Sequence, residues 1–122
     1  MADGVHVIGD LHLCTSAQLK ELTTDVMQTL KDAIISVGLT PVKECFHQFT
    51  DDEGNPDGYT GGYILAESHL MVHTWPKVGK VNLCVYVCNF SRNNSDRARK
   101  LVDLLLSYYG SQEPKIQIIW RS

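Results

Sequence analysis

The segment "KVNLCVYVCNF", residues 80–90, sets Val81, Leu83, Val85 and Val87 at strictly alternate positions. Period two over that length fits a strand with one buried face, and such a strand needs paired neighbours and a cover. "GVHVIGDLHLC" alternates Val5, Val7 and, after a glycine, Leu11 and Leu13, and reads as a strand over residues 4–13. "TPVKECFHQF" reads as a second strand, with Val42 and Cys45 among β-formers. "YTGGYILAES" reads as a third, and "HLMVHTW" continues it in extended form as far as Pro76. "PKIQIIW" is the last strand. A polar, turn-rich loop, "TDDEGNPDG", covers residues 50–58.

Two segments have helical period instead. "TSAQ" offers a capping box, Thr15 with Gln18, to a helix over residues 16–37. Leu19, Leu22, Val26, Leu30, Ala33, Ile34 and Val37 form its buried face, and Gly38 closes it. Ser95 can cap a second helix, with Ala98, Leu101, Val102 and Leu105 on one face and Gly110 after it. The order β-α-β-β-β-α-β predicts an α+β fold, a two-layer sandwich with a largely antiparallel sheet. Each end of the chain runs strand, Cys14 or Cys88, helix, glycine, proline, strand, which hints at an internal pseudo-repeat. The helices cover one sheet face and nothing remains for the other. A face-to-face homodimer, making a four-layer sandwich, is the economical solution.

The 122 residues fit a single domain, 1–122, and at 43% hydrophobic the chain can pack without staples. A net charge of −3 leaves no electrostatic footprint for nucleic acid or an anionic membrane. No apolar run spans a bilayer, and "MADGVHVIGD" lacks the basic and apolar regions of a secretory signal. Cys14, Cys45, Cys84 and Cys88 are therefore expected as reduced thiols in a cytoplasmic protein.

Chemistry-bearing residues crowd into "AESHLMVHTWPK", residues 66–77. His69 and His73 are four apart, as are Cys84 and Cys88. On a helix each pair would converge on one ion; on a strand each pair shares a face but is separated by roughly 13 Å. No metal site is expected from either pair. Ser68 lacks the flanking glycines of a nucleophile elbow, so a serine hydrolase is not indicated. The pattern also suits an ordinary strand with Leu70 and Val72 inward and the histidines half exposed. Cys84, Cys88, Phe46 and Phe49 would then be core residues, and Thr60 a turn residue.

"ESHLMVHTWP" resembles the Glu-Ser-His-x-x-x-His-[Thr/Ser]-x-Pro signature of the bacterial and archaeal S-adenosylmethionine decarboxylase proenzymes. "GVHV" is similar to that family's Gly-x-His strand, and "FHQF" at 46–49 to its Phe-His-x-Phe. Thr60 stands where the family has a hydroxyl residue, and Cys88 where it has its catalytic cysteine. The resemblance implies a self-processing enzyme. Ser68 would attack the carbonyl of Glu67, and β-elimination of the resulting ester would cut the chain into residues 1–67 and 68–122. Position 68 would become a pyruvoyl cofactor, whose ketone forms a Schiff base with the substrate amine and draws electrons from the bond to the carboxylate. By the same resemblance His73 is the processing acid/base, Thr60 assists it, and Cys88 is the proton donor in decarboxylation. Phe49 and Trp75 are candidate aromatic walls for an adenine or a sulfonium.

Three positions depart from the family. Lys77 stands where it usually has a Glu implicated in holding the ribose hydroxyls; a carboxylate accepts two hydrogen bonds and an ammonium none. Asn89 follows Cys88 where glycine is usual. The loop after Phe49 is longer and acidic, with Asp51, Asp52, Glu53 and Asp57. The first expectation is decarboxylation of S-adenosylmethionine for polyamine synthesis, with another acid in place of the missing Glu. Lys77 and the acidic loop motivate an alternative on the same scaffold, decarboxylation of arginine or ornithine. A third expectation is a silent, uncut homologue that serves as a partner subunit.

Overall fold

The computed structural model describes residues 3–122. One six-stranded sheet runs through the molecule: β1 (Gly4–Cys14), β2 (Pro41–Thr50), β3 (Pro56–Leu65), β4 (Ser68–Trp75), β5 (Lys80–Cys88) and β6 (Ser111–Arg121). Its spatial order is β2-β3-β4-β5-β1-β6, and every neighbouring pair is antiparallel. Helices α1 (Thr24–Ser36) and α2 (Ser95–Tyr109) lie side by side on one face, with α2 over β1 and β5. This is the expected α+β sandwich. The extended run from Tyr59 to Trp75 turns back on itself at Ala66 and Glu67, so four strands stand between the helices.

The alternation read in the sequence decides the burial. Val5, Val7, Leu11, Leu70, Val72, Val81, Leu83, Val85 and Val87 meet Val26, Leu30, Ile34, Leu101, Val102 and Leu105 in a sealed core. The intervening residues, including His6, His69, Met71, Cys84 and Tyr86, lie on the open face and are half-buried. Among the described residues no helix is long and apolar enough to cross a membrane.

The first helix starts later than the periodicity predicts. Ser16 caps a single 3-10 turn, Ala17–Leu19, and Thr23 caps α1 by accepting from the Val26 N–H at 3.0 Å. Residues 20–23 are drawn off by the β2–β3 hairpin. The Lys20 carbonyl accepts from the Gly58 N–H and the Gln48 side chain at 2.9 Å each, and the Leu22 N–H donates to Gln48. These long-range bonds take the place of a helical turn, yet Leu19 still reaches the core.

Gly61 and Gly62 let β3 pass closely between β2 and β4. A Cβ at position 62 would lie 1.8 Å from the Leu70 carbonyl oxygen, and one at 61 would lie 2.4 Å from that of Cys45. Both obstacles are backbone, so no rotamer change relieves them. Gly62→Ala is expected to lower stability by about 1–3 kcal/mol or more, read from the urea midpoint.

Candidate active site

The β3–β4 hairpin closes with Leu65 paired to Ser68, leaving Ala66 and Glu67 as a two-residue turn. Glu67 has φ +63°, a left-handed conformation that costs a residue bearing a Cβ about 1–2 kcal/mol. The Ala66 N–H donates to the Thr40 carbonyl at 3.0 Å, and the Glu67 carboxylate accepts from Ser91 at 3.3 Å. The Glu67–Ser68 peptide bond is thus fixed at the end of a tight, strained turn.

Ser68 is only 8% exposed and begins β4 on the side of Leu70 and Val72. Its Oγ accepts from the backbone N–H of Cys88 at 3.2 Å. Cys88 ends β5, a half-buried free thiol on the open side of the sheet by strand alternation. The structure therefore joins Ser68, Glu67 and Cys88 at one end of the sheet. Cys88 is twenty positions on from Ser68, and only the β4–β5 pairing brings them together.

The other named residues gather at the opposite end. Thr60 and His73 are cross-strand partners, with Thr60 Oγ1 2.9 Å from His73 Nδ1. That contact orients the ring and leaves Nε2 as the nitrogen Thr60 does not engage. A cavity of about 500 Å3 opens over the pair, walled by Phe49 and Trp75 and rimmed by Asp57 and Lys77. The Trp75 indole donates to Asn82 Oδ1 at 2.8 Å, and Asn82 donates to Asp10 at 2.7 Å. This chain holds the aromatic wall in place. Its links join β4, β5 and β1, so no local spacing signals it.

Lys77 forms an ion pair with Asp57 at 3.2 Å, its own side chain largely in solvent. Of the acidic loop, Asp51 is committed to its turn, accepting from the Glu53 and Asn55 N–H groups at 2.9 Å each. Asp57 is the loop carboxylate that lines the cavity.

His73 is five positions along β4 from Ser68, roughly 17 Å at strand rise, and on the opposite side of the sheet. Within one chain these two residues do not meet. Between the two ends the open face carries a cluster that neither four-residue spacing revealed. His6 of β1, His69 of β4 and Cys84 of β5 offer ligand atoms all within 4.8 Å of one another.

Comparison with known proteins bears on both ends of the sheet. The profile described as S-adenosylmethionine decarboxylase matches residues 5–122. The S-adenosylmethionine decarboxylase proenzyme of Picrophilus torridus is 39% identical over 98 residues, covering 80% of this chain and 70% of its own. The proenzyme of Thermoplasma acidophilum is 35% identical over 103 residues, covering 84% and 73%. The crystal structure of the adenosylmethionine decarboxylase from Aquifex aeolicus superposes with a TM-score of 0.84 at 25% identity, covering 99% of this chain and 92% of that one. The sheet that carries the Glu67–Ser68 turn and Cys88 superposes on that structure along almost its whole length, and with the family profile spanning residues 5–122 the chain belongs to the S-adenosylmethionine decarboxylase family.

Proposed function

We propose that the chain is a proenzyme that cuts itself between Glu67 and Ser68 and then decarboxylates S-adenosylmethionine, yielding the aminopropyl donor of polyamine synthesis. The observation that carries this reading is the strained turn at Glu67, with the Ser68 hydroxyl held against the Cys88 N–H. The left-handed Glu67 stores strain that cleavage releases. Cutting before Ser68 leaves β4 paired to β3 and β5 from His69 onward, so the sheet survives it.

The residues suit a pyruvoyl group at position 68. The Cys88 N–H already reaches the Ser68 oxygen and can hold a carbonyl oxygen there. When present, that group supplies an electrophilic ketone and an electron sink for loss of the carboxylate. Cys88, whose backbone N–H meets the Ser68 oxygen, carries the thiol that this reading assigns to return a proton to the substrate Cα.

Serine is a weak nucleophile and needs a base. His73 is the histidine assigned this work, with Nε2 taking the Ser68 Oγ proton while Thr60 steadies Nδ1. The separation along β4 requires a second copy. Two sheets packed open face to open face, with their strands running oppositely, bring the Ser68–Cys88 end of one against the His73–Thr60 cavity of the other, and the Ser68 hydroxyl, which rests on the helix side, turns about the start of β4 to meet Nε2. Each homodimer then has two complete sites. The same packing covers the half-buried open face, which includes Met71 and Tyr86.

Asp57 supplies the carboxylate that Lys77 cannot. It lines the cavity with Phe49 and Trp75 and can accept both ribose hydroxyls, while the aromatic walls take the adenine and sulfonium. Lys77 pairs with Asp57 at the rim, a solvated contact worth little by itself. Asp57→Asn is expected to raise KM for S-adenosylmethionine by about tenfold, the loss of one hydrogen bond to a charged acceptor. Lys77→Ala should change KM by less than about threefold. CO2 release from S-adenosylmethionine, arginine and ornithine, measured side by side, tests the substrate. Release from an amino acid but not from S-adenosylmethionine would overturn the reading.

A further inference from the structure

His6, His69 and Cys84 come from three different strands, far apart in sequence, and converge on the open face, inside the seam of the proposed homodimer and outside the residues assigned to processing and decarboxylation. We propose that they form a binding site for a thiophilic metal ion, zinc(II) or copper(I), with Met71 beside it as a further soft donor.

The strand register builds the cluster. His6 and His69 flank Tyr86 from its two sides, and Met71 lies directly across from Cys84. The His6 and His69 ring centroids are 5.8 Å apart and nearly perpendicular. His6 Nε2 is buried without a hydrogen-bond partner among the described residues, an uncommon and costly condition for an imidazole nitrogen. Bonds of about 2.0–2.3 Å to a tetrahedral ion need donor atoms somewhat closer together than 4.8 Å, which small side-chain rotations supply. Burial holds both imidazoles below their usual pKa, the neutral form that binds metals. The thiol of Cys84, pushed up by burial, would give its proton to solvent as the ion binds.

The donor set selects the ion. Two imidazoles, a thiolate and a thioether favour borderline and soft cations and disfavour magnesium and calcium, which take oxygen ligands. One neighbour opposes binding. The exposed Arg121 guanidinium lies 3.2 Å from His6 Nδ1, repels a cation, and by donating there places the neutral ring's proton on Nε2. Arg121 must turn aside before Nε2 can ligate, so its removal should favour the site.

The test is anaerobic titration of the full chain with cobalt(II), a spectroscopic stand-in for zinc, and with copper(I) against a coloured chelator. One or both ions should bind at one equivalent per chain. Cobalt, if it is the one bound, should show a thiolate charge-transfer band that zinc removes. Cys84→Ser and His69→Gln, each checked for folding by circular dichroism, should weaken binding at least tenfold. Cys88→Ser should not, and Arg121→Ala should tighten it. Stoichiometric binding of neither ion, or binding that survives Cys84→Ser and is lost in Cys88→Ser, would overturn the proposal. Neither outcome bears on the decarboxylase reading, because the measurement needs no turnover.

Discussion

Ser68→Ala should leave a single uncut chain of 122 residues, however long it is incubated, where the parent protein should give fragments 1–67 and 68–122. The substitution removes one oxygen. In the proposed route that oxygen is both the nucleophile of the acyl shift and the atom lost in the elimination that follows, so no slower version of the same route remains. Intact-mass analysis reads the outcome directly, and the second fragment of the parent should be blocked at its N-terminus. CO2 release should fall to background together with cleavage. The variant should fold, because Ser68 contributes one modest hydrogen bond, to the Cys88 N–H, and its methyl group fits the same buried position. Cleavage that persisted in the variant would place the cut elsewhere.

The second large effect concerns chains that are inactive alone and active together. His73→Ala and Ser68→Ala should each be uncut and inactive as pure homodimers. Coexpressed, they should form mixed dimers in which Ser68 of one chain faces His73 of the other. Only the His73→Ala chain should then be cut, and about a quarter of the wild-type sites should be restored in a random mixture, since half the dimers are mixed and each has one intact site. A site complete within one chain predicts no recovery at all. The roughly 17 Å of strand between the two residues is why recovery is the expected result.

Much of this was open to reading in the order of residues. Strict alternation at Val81 to Val87 and helical spacing from Val26 to Ile34 are local properties, and the burial follows them. The "ESHLMVHTWP" signature identified the family, because its spacing is dense enough to be recognised without a fold. Less visible was the division of residues 59–75 into two strands. A turn at Ala66-Glu67 has no glycine, asparagine or proline to announce it, and it exists because the paired strands hold Glu67 in a left-handed conformation that its own side chain resists. The helix starts later than its periodicity predicts for a related reason, since Gln48 and Gly58 take up backbone groups of residues 20–22 that a helical turn would otherwise use.

The sequence by itself determined the class of fold, the buried face of the helices and the central strands, and the chemical identity of the groups proposed to react. Those follow from periodicity and residue type, which act over a few neighbours. Only the tertiary structure decided which groups meet. It set Ser68 against Cys88, parted Ser68 from His73, turned Asp57 toward the cavity beside Lys77, and drew His6, His69 and Cys84 together. The physical reason is strand pairing: the register of an antiparallel sheet joins residues distant in sequence, and stiff strands keep residues five positions apart from ever touching.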